Sequence, residues 1–553
     1  MKKYLFFPAV VVVIAAISFS CSNNQNQSGK RVIIAIPADV TTFNPMFAVN
    51  INEGNISELI YLGLAELNWD RDKNDLKYEP MLAKSWQWSP DSLSLVVQLR
   101  NDVYWSDGVQ FNAGDVVFTY DLYSDAKAQS KFFGMFKNFY LKDDSSIDIG
   151  KSFEILSPFE IKINFNNNSV PTLYDIGYPI VPKHIFEKIP RTGMAGAEEN
   201  LKPVGTGPYK LLSWEKNQSI KLVSNEKSIL YGKSVIPELI FKIVPDYNAR
   251  LNQLKNGEID LTEEVKPVDV EELSKNDKLE IDFQKGRVYD YVGWNNIDPG
   301  IFNKNKNITP NKLFGSPNVR KALTFAIDRR TILEEFLSNY GEVAVGPIAP
   351  IFKNSVDESL KAYPFDPAKA GAILAQEGWR DSNLNGTIDK NGREFTFTLY
   401  IPGGNPLRSS TATMVKNNLK SIGIDVTVET VEPQVFWGSV YAKKYDAWIA
   451  GWSVPIPVNL KPYWYSDLKN NPPNLISYQN KEADKLLEKM ETKISTAELN
   501  RTYKKFLSIL HDDAPVTFLF WKNKIVAYNK KINGIAVDPV GVVHKCWNWS
   551  ISE

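Results

Sequence analysis

At the start of the body, Arg31 to Ile36 form a short apolar run rich in β-branched residues, the composition of a buried strand, and Pro37 breaks it. Residues 94–100 set Leu95, Val97 and Leu99 against Ser94, Val96 and Gln98. That period of two predicts a half-buried strand. Turns are predicted at Asn101-Asp102 and Asp107-Gly108. Asn112, with Asp115 three residues on and Val116, Val117 and Tyr120 following, reads as a capped helix start.

Three further helices carry clear punctuation. Ser316-Pro317 and Asp366-Pro367 each place a cap residue before a proline at the first helical position. Val319, Leu323, Ala326 and Ile327 form the apolar stripe of the first. Ile373 and Leu374 lie inside the second, and Gly378 stops it. Ser495 to Glu498 is a capping-box pattern, followed by Leu499, Tyr503, Phe506, Leu507 and Leu510 at helical spacing until Pro515. Residues 394–401 and 423–428 read as strands between these helices. Residues 316–515 therefore alternate helix and strand, which predicts an α/β fold with some parallel sheet. No internal repeat is visible.

Composition narrows the function classes. The chain has 553 residues, enough for two to four domains, and its 43% hydrophobic and 23% charged content is that of a globular protein. Lys+Arg (64) balance Asp+Glu (64), so no net field favours nucleic acid. His184, His511 and His544 are too scattered for a local metal motif. Cys21 and Cys546 exclude a zinc ribbon, a CxxC redox site and a disulfide framework. Cys546, between His544 and Trp547 and Trp549, reads as a buried apolar residue. The 14 Trp suit large cores or a lined pocket.

The N-terminus has its own pattern. Lys2 and Lys3 precede an apolar stretch over residues 5–19, which reads as a signal-peptide core. Ser18 and Ser20 supply small residues before Cys21, resembling the lipoprotein box in which that cysteine becomes the lipidated N-terminus, although Ser18 stands where Leu is usual. Plain secretion is the alternative. Residues 22–29 are polar and read as a tether. The expectation is an exported protein at the periplasm or cell surface, anchored by lipid with no transmembrane helix.

No catalytic constellation emerges. Gly205-Thr206-Gly207-Pro208 reads as a tight turn entering a strand at Tyr209, since no GKS or GKT follows. Gly451 to Pro455 lacks the second glycine of a nucleophile elbow. His511 beside Asp512 and Asp513 reads as a cation near a helix C-terminus. Asp381, Asn383, Asn385 and Asp389, with Gly386, mimic positions 1, 3, 5, 9 and 6 of a calcium loop. Gly392 stands where a bidentate Glu belongs, so an Asx-rich turn is the favoured reading. The sequence implies no enzyme and no cofactor.

Several segments together resemble the extracytoplasmic solute-binding proteins of peptide/nickel-type ABC importers, family 5. Leu82 to Asp91, Leu99 to Gly108 and Asn112 to Val117 look like that family's signature. Val181 to His184, Val204 to Tyr209, Val319 to Arg329, Ala370 to Trp379, and Ala514-Pro515 with Phe518 to Trp521 continue the match in order. The resemblance implies a two-lobed periplasmic-binding-protein (flytrap) fold. Lobe I would hold residues 30–68, 203–293 and 518–553, with residues 69–202 inserted as an extra domain. Lobe II would be residues 294–517. The function implied is capture of a small solute, foremost an oligopeptide, for ABC permease subunits, by a monomer. Trp452 matches the family's cleft tryptophan. Further ligand-facing candidates are Thr42, Phe43 and Asn44 after the first strand, Asn405 and Arg408 after the strand ending at Ile401, and Tyr291, Trp294, Asn295 and Trp521 near the crossovers between lobes.

One departure bears on the ligand. Peptide binders of the family hold the α-amine with an acid three positions after the cleft tryptophan. That position is Pro455, and residues 453–460 contain no acid at all. Nickel is disfavoured by the scarcity of histidine. A non-peptide solute, or a sensor or adhesin that binds peptide without transport, are the alternatives; a hydrolase on the same scaffold lacks the residues it would need.

Overall fold

The computed structural model describes residues 30–167, 170–232, 236–469 and 473–552. The signal-like stretch, Cys21 and the tether lie outside them. Its main sheet has eleven strands. In chain order they are β1 (Arg31–Ile36), β2 (Tyr209–Glu215), β3 (Ser219–Ser224), β4 (Glu238–Ile243), β5 (Leu261–Thr262), β6 (Leu279–Trp294), β7 (Gly341–Val343), β8 (Thr396–Pro402), β9 (Asp425–Val431), β10 (Ala447–Ser453) and β11 (Val516–Asn529). Across the sheet they run β9-β8-β10-β6-β11-β5-β1-β4-β3-β2, with β7 added beside β11.

The order explains the two halves. In one, β1 is parallel to β4 and β5, and helix Tyr247–Asn256 connects those neighbours. In the other, β8 is parallel to β9 and β10. Helices Pro406–Lys420 and Pro433–Tyr441 make the two connections there, as parallel pairing requires. β6 and β11 are the long antiparallel strands that belong to both halves. The chain is thus mixed α/β, as the alternation of helix and strand predicts.

Residues 69–202 contribute a smaller antiparallel sheet, ordered Ala83–Trp88, Ser94–Leu99, Glu160–Asn164, Phe153–Ser157. The predicted alternation holds: Leu95 and Val97 are fully buried. The segment's core is continuous with that of the main sheet. Leu95, Val97 and Tyr120 belong to one apolar cluster with Val32, Ile34, Phe241 and Val526. The second half of the main sheet is covered on both faces, by Val292, Trp294, Leu323 and Ile449 on one side and Tyr289, Tyr291, Trp448 and Phe518 on the other.

Local punctuation shows which signals survive in three dimensions. Asn112 caps helix Ala113–Ser124 by a full capping box with Asp115. Asp366 accepts from the Lys369 amide and starts helix Pro367–Gln376. Ser316 makes no side-chain cap bond, so Pro317 alone marks that start. Ser495 accepts from the Glu498 amide, but the Glu498 carboxylate turns to Lys489 and Arg501 instead of closing the box. The strand read from residue 394 begins at Thr396. Arg393–Glu394 instead pair back with Asp389–Lys390 across Asn391 and Gly392, both at positive φ. Asn-Gly is the two-residue sequence that favours such a hairpin turn.

The same hairpin adjoins the calcium-like loop. Asp381 accepts the amides of Asn385 and Gly386, Asn383 that of Asn385, and Asn385 that of Thr387. Asp389 accepts from the amide and hydroxyl of Ser382. The oxygens serve the turn itself, and among the described residues no group of three or more His, Cys, Asp or Glu is placed to hold a metal ion. His511 stacks on Tyr363 at 4.3 Å between centroids, and its Nε2 lies 3.0 Å from the Lys361 carbonyl oxygen. Cys546 is fully buried, and burial pushes its thiol pKa up. No helix among the described residues is long and apolar enough to cross a membrane.

The turn before β2 packs with no spare room. A Cβ on Gly205 would fall 1.9 Å from the Ile60 carbonyl oxygen, and one on Gly207 2.3 Å from that of Leu59. Both glycines therefore press backbone on backbone at the end of helix Ile51–Ile60. Gly205→Ala is expected to cost about 3 kcal/mol of stability by overpacking, read by urea unfolding; a midpoint equal to wild type would refute the close approach.

Candidate ligand-binding cleft

The candidate site lies where β6 and β11 pass from one half of the sheet to the other. Their register runs from Leu279↔Asn529 to Gly293↔Val516, with shifts between Gln284 and Val288 and between Asp290 and Tyr291. Alternation along β6 sends Tyr289 and Tyr291 to one face and Val292 and Trp294 towards the helical layer. On β10, Trp452 pairs directly with Tyr289. Its indole meets the ring of Tyr463 at 4.7 Å, nearly edge-on.

These residues form an aromatic wall. Tyr289, Tyr291, Trp452, Tyr463, Trp464 and Leu475 line a cavity of about 30 Å³. That is room for one or two waters, and a peptide would not fit without the walls parting. Burial holds the Tyr289 phenol far above its ordinary range and that of Tyr291 up at about 12, so both are neutral hydrogen-bonding groups.

The two halves of the molecule touch around this wall. Trp69 packs edge-on against Phe352 at 5.8 Å. Lys137 pairs with Glu491 at 3.0 Å, and Glu491 also takes Lys461 at 2.6 Å. Lys493 donates to the Asp91 carbonyl and Asn354 to that of Lys73. Arg287 donates to the Val454 and Pro539 carbonyls at 2.5 and 3.3 Å.

On the opposite face of β6, Asp290 is fully buried. Arg408 Nε reaches one of its oxygens at 3.0 Å and Lys522 Nζ the other at 3.1 Å. Arg408 stands in the first turn of helix Pro406–Lys420, which Asn405 caps. Gly451 leaves the space: a Cβ there would fall 2.3 Å from both Arg408 Nη2 and Asp290 Oδ1.

Of the residues expected to face ligand, Trp452 and Tyr291 line the cavity, and Trp521 packs edge-on against Tyr289 at 4.9 Å. Arg408, expected to face ligand, is paired with Asp290, and Asn405 caps its helix. The others have structural partners and do not line the cavity. Phe43 packs on Trp214, Asn44 donates to Asn200, and the Thr42 hydroxyl accepts the Asn44 amide. Trp294 donates to Thr517, and Asn295 to the Tyr445 carbonyl. Sequence reasoning missed Tyr289, Tyr463, Arg287, Asp290 and Lys522. A lone aspartate within the apolar run Val288 to Trp294 was the available signal, because a charge in a buried strand demands a partner.

The profile of the bacterial extracellular solute-binding proteins, family 5 Middle, matches residues 77–474. The chain belongs to that family. It is 28% identical to the oligopeptide-binding protein AppA of Bacillus subtilis, covering 100% of this chain and 99% of AppA. The structure of AppA with a nonapeptide superposes with a TM-score of 0.73 at 27% identity, over 95% of this chain and 99% of that one. The heme-binding protein A of Haemophilus influenzae is 26% identical, over 98% and 97% of the two chains. NikZ from Campylobacter jejuni, solved with Ni(L-His), gives a TM-score of 0.74 at 27% identity, over 94% and 99%. The chain is accordingly a solute-binding protein of the ABC-importer type, a binder and not an enzyme, with the fold of its family.

The loop that closes the cavity depends on one buried amine. Lys443 Nζ donates to the Asn474 carbonyl at 2.6 Å, and Asn474 in turn binds the Tyr465 and Tyr478 carbonyls. Burial lowers the Lys443 pKa from 10.5 to about 8. The folded protein thus sheds this proton before the unfolded chain does, and stability contributed at this site rises between pH 8 and 10.5. Lys443→Met should abolish that rise in paired unfolding titrations, and an unchanged pH slope would count against the buried amine.

Proposed function

We propose that this chain is a lipid-anchored receptor that encloses an oligopeptide between its two lobes and presents it to an ABC permease. The observation that carries this reading is the end-to-end similarity to an oligopeptide-binding protein. The aromatic wall of Tyr289, Tyr291, Trp452 and Tyr463 agrees with it. Flat amphipathic rings accept varied side chains without demanding one shape. Lobe I comprises residues 30–68, 203–293 and 518–553 with the inserted 69–202, and lobe II residues 294–517. Solute seated on the wall stabilises the closed arrangement by its differential affinity for closed over open. Cys21 carries the lipid, and the tether leaves the lobes free above the membrane.

A second reading, a non-peptide solute held by the same fold, is favoured by Pro455 standing where the amine-binding acid is expected. Purifying the full-length protein without denaturant and then releasing its bound molecules for mass spectrometry separates the two. Peptides of mixed sequence are the expected cargo; a single non-peptide compound would overturn the peptide assignment and leave the receptor. Trp452→Ala should weaken binding of that cargo at least about tenfold, in keeping with loss of a buried aromatic anchor, with little change in melting temperature. Cys21→Ala should move the protein from the membrane to the soluble fraction, and retention on the membrane would rule out the lipid.

A further inference from the structure

Among the described residues, none that lines the cavity at Trp452 carries a charge. Leu475, Ile476 and Val516 give it aliphatic surface, and Tyr289, Tyr291 and Tyr463 give it phenols. Burial raises the pKa of all three phenols, so none ionises near neutral pH. On β6 the cause is strand alternation: Tyr289 and Tyr291 line the cavity, and Asp290 between them turns to the opposite face. Charged side chains on the neighbouring elements have partners of their own. Asp290 takes Arg408 and Lys522, Lys461 takes Glu491 at 2.6 Å, and Asp513 accepts from the Tyr478 hydroxyl and the Asn480 amide group. Lys443 donates to the Asn474 carbonyl, just before Leu475, and Arg287 to the Val454 and Pro539 carbonyls.

Apolar surface remains open beside the cavity. Trp452 and Tyr463 are only half-buried. Tyr441, 45% exposed, stands close enough to raise the phenol pKa of both Tyr291 and Tyr463, and its ring centroid lies 6.4 Å from that of Trp437. Aromatic surface thus runs out of the cavity onto helix Pro433–Tyr441. An apolar group that covers such surface is stabilised by leaving water. An ammonium or a carboxylate would leave water with no counterion in the lining, which is costly. Ring faces attract a cation, but the aliphatic part of the lining does not, and a strongly hydrated ammonium retains more by staying in water.

We propose that the cleft holds its peptide by an uncharged apolar side chain seated against Trp452 and Tyr463, and that the charged peptide termini lie outside this contact. This rests on the peptide reading above and names the part of the peptide that is read.

The test uses the full-length protein, freed of endogenous ligand by unfolding and refolding. Short Gly-Ser peptides, acetylated and amidated, carry a single central Phe, Lys or Asp. The Phe peptide should bind at least about tenfold tighter than either charged one, the scale of burying one large apolar side chain. Freeing both of its termini should change its Kd by less than about threefold, as for a charge left in solvent. Tyr463→Asp sets a carboxylate at the contact and should shift the Phe-to-Lys ratio towards Lys by at least about tenfold. Tyr441→Asp, at an exposed position where folding is not at stake, should shift it the same way by less. Equal binding of the three peptides, preference for a charged one, or a gain of about tenfold on freeing a terminus overturns the proposal while the peptide reading stands. A ratio that neither folded variant moves overturns it too, because the contact then lies elsewhere. Should no peptide bind, the peptide reading falls, and indole, tryptamine and indole-3-acetate are then added singly. A melting shift that is largest for neutral indole and absent in Tyr463→Asp supports selection for an uncharged apolar group; any other result overturns that as well.

Discussion

The antiparallel pairing of β6 with β11 is the constraint from which the rest of the molecule is arranged. One hydrogen-bonded ladder belongs to both halves of the sheet, so it ties them in one frame while β1, β4 and β5 build out on one side and β8 to β10 on the other. A strand pair is stiff along its length and yields most readily to twist or bend where its register is interrupted. The interruption between Gln284 and Val288 falls just before β6 begins to pair with β10. The aromatic wall begins directly after it, at Tyr289. The register interruption and the wall are consecutive parts of one strand.

Charge is handled differently on the two faces of that strand. On the helical face Asp290, Arg408 and Lys522 form a buried cluster that ties strand, strand and helix together, and Gly451 is small so that they can meet. Such a cluster stabilises little in net terms, because desolvation opposes attraction, but it penalises any arrangement that separates its members. On the other face the rings are neutral. The separation lets one face fix the fold while the other remains available to solute.

Contacts between the lobes are modest one by one. Lys137 with Glu491, Lys493 with the Asp91 carbonyl, and Asn354 with the Lys73 carbonyl are all at partly exposed positions. Exposed pairs of this kind are worth about 0–1 kcal/mol each. Trp69 against Phe352 adds the main apolar contact.

Much of the local structure was legible in the sequence because it depends on neighbours in the chain. The strands at residues 31–36 and 94–99, the capped helix after Asn112, the proline-started helices and the turn at Gly205 to Pro208 follow from periodicity, capping and steric limits that act over a few residues. The ordered motifs likewise identified the family, and Trp452 and Tyr291 line the cavity. What the sequence could not determine is which polar and aromatic side chains meet across long separations. Arg408 and Asp290 are 118 residues apart, and Lys522 lies 232 from Asp290. Asn44 and Asn295 look like ligand contacts in sequence, yet each satisfies backbone or side-chain groups distant in the chain. Local forces choose a strand or a helix; only the packed sheet decides which faces are sealed in the core and which are left for a solute, because that depends on strand order and not on any short stretch of residues.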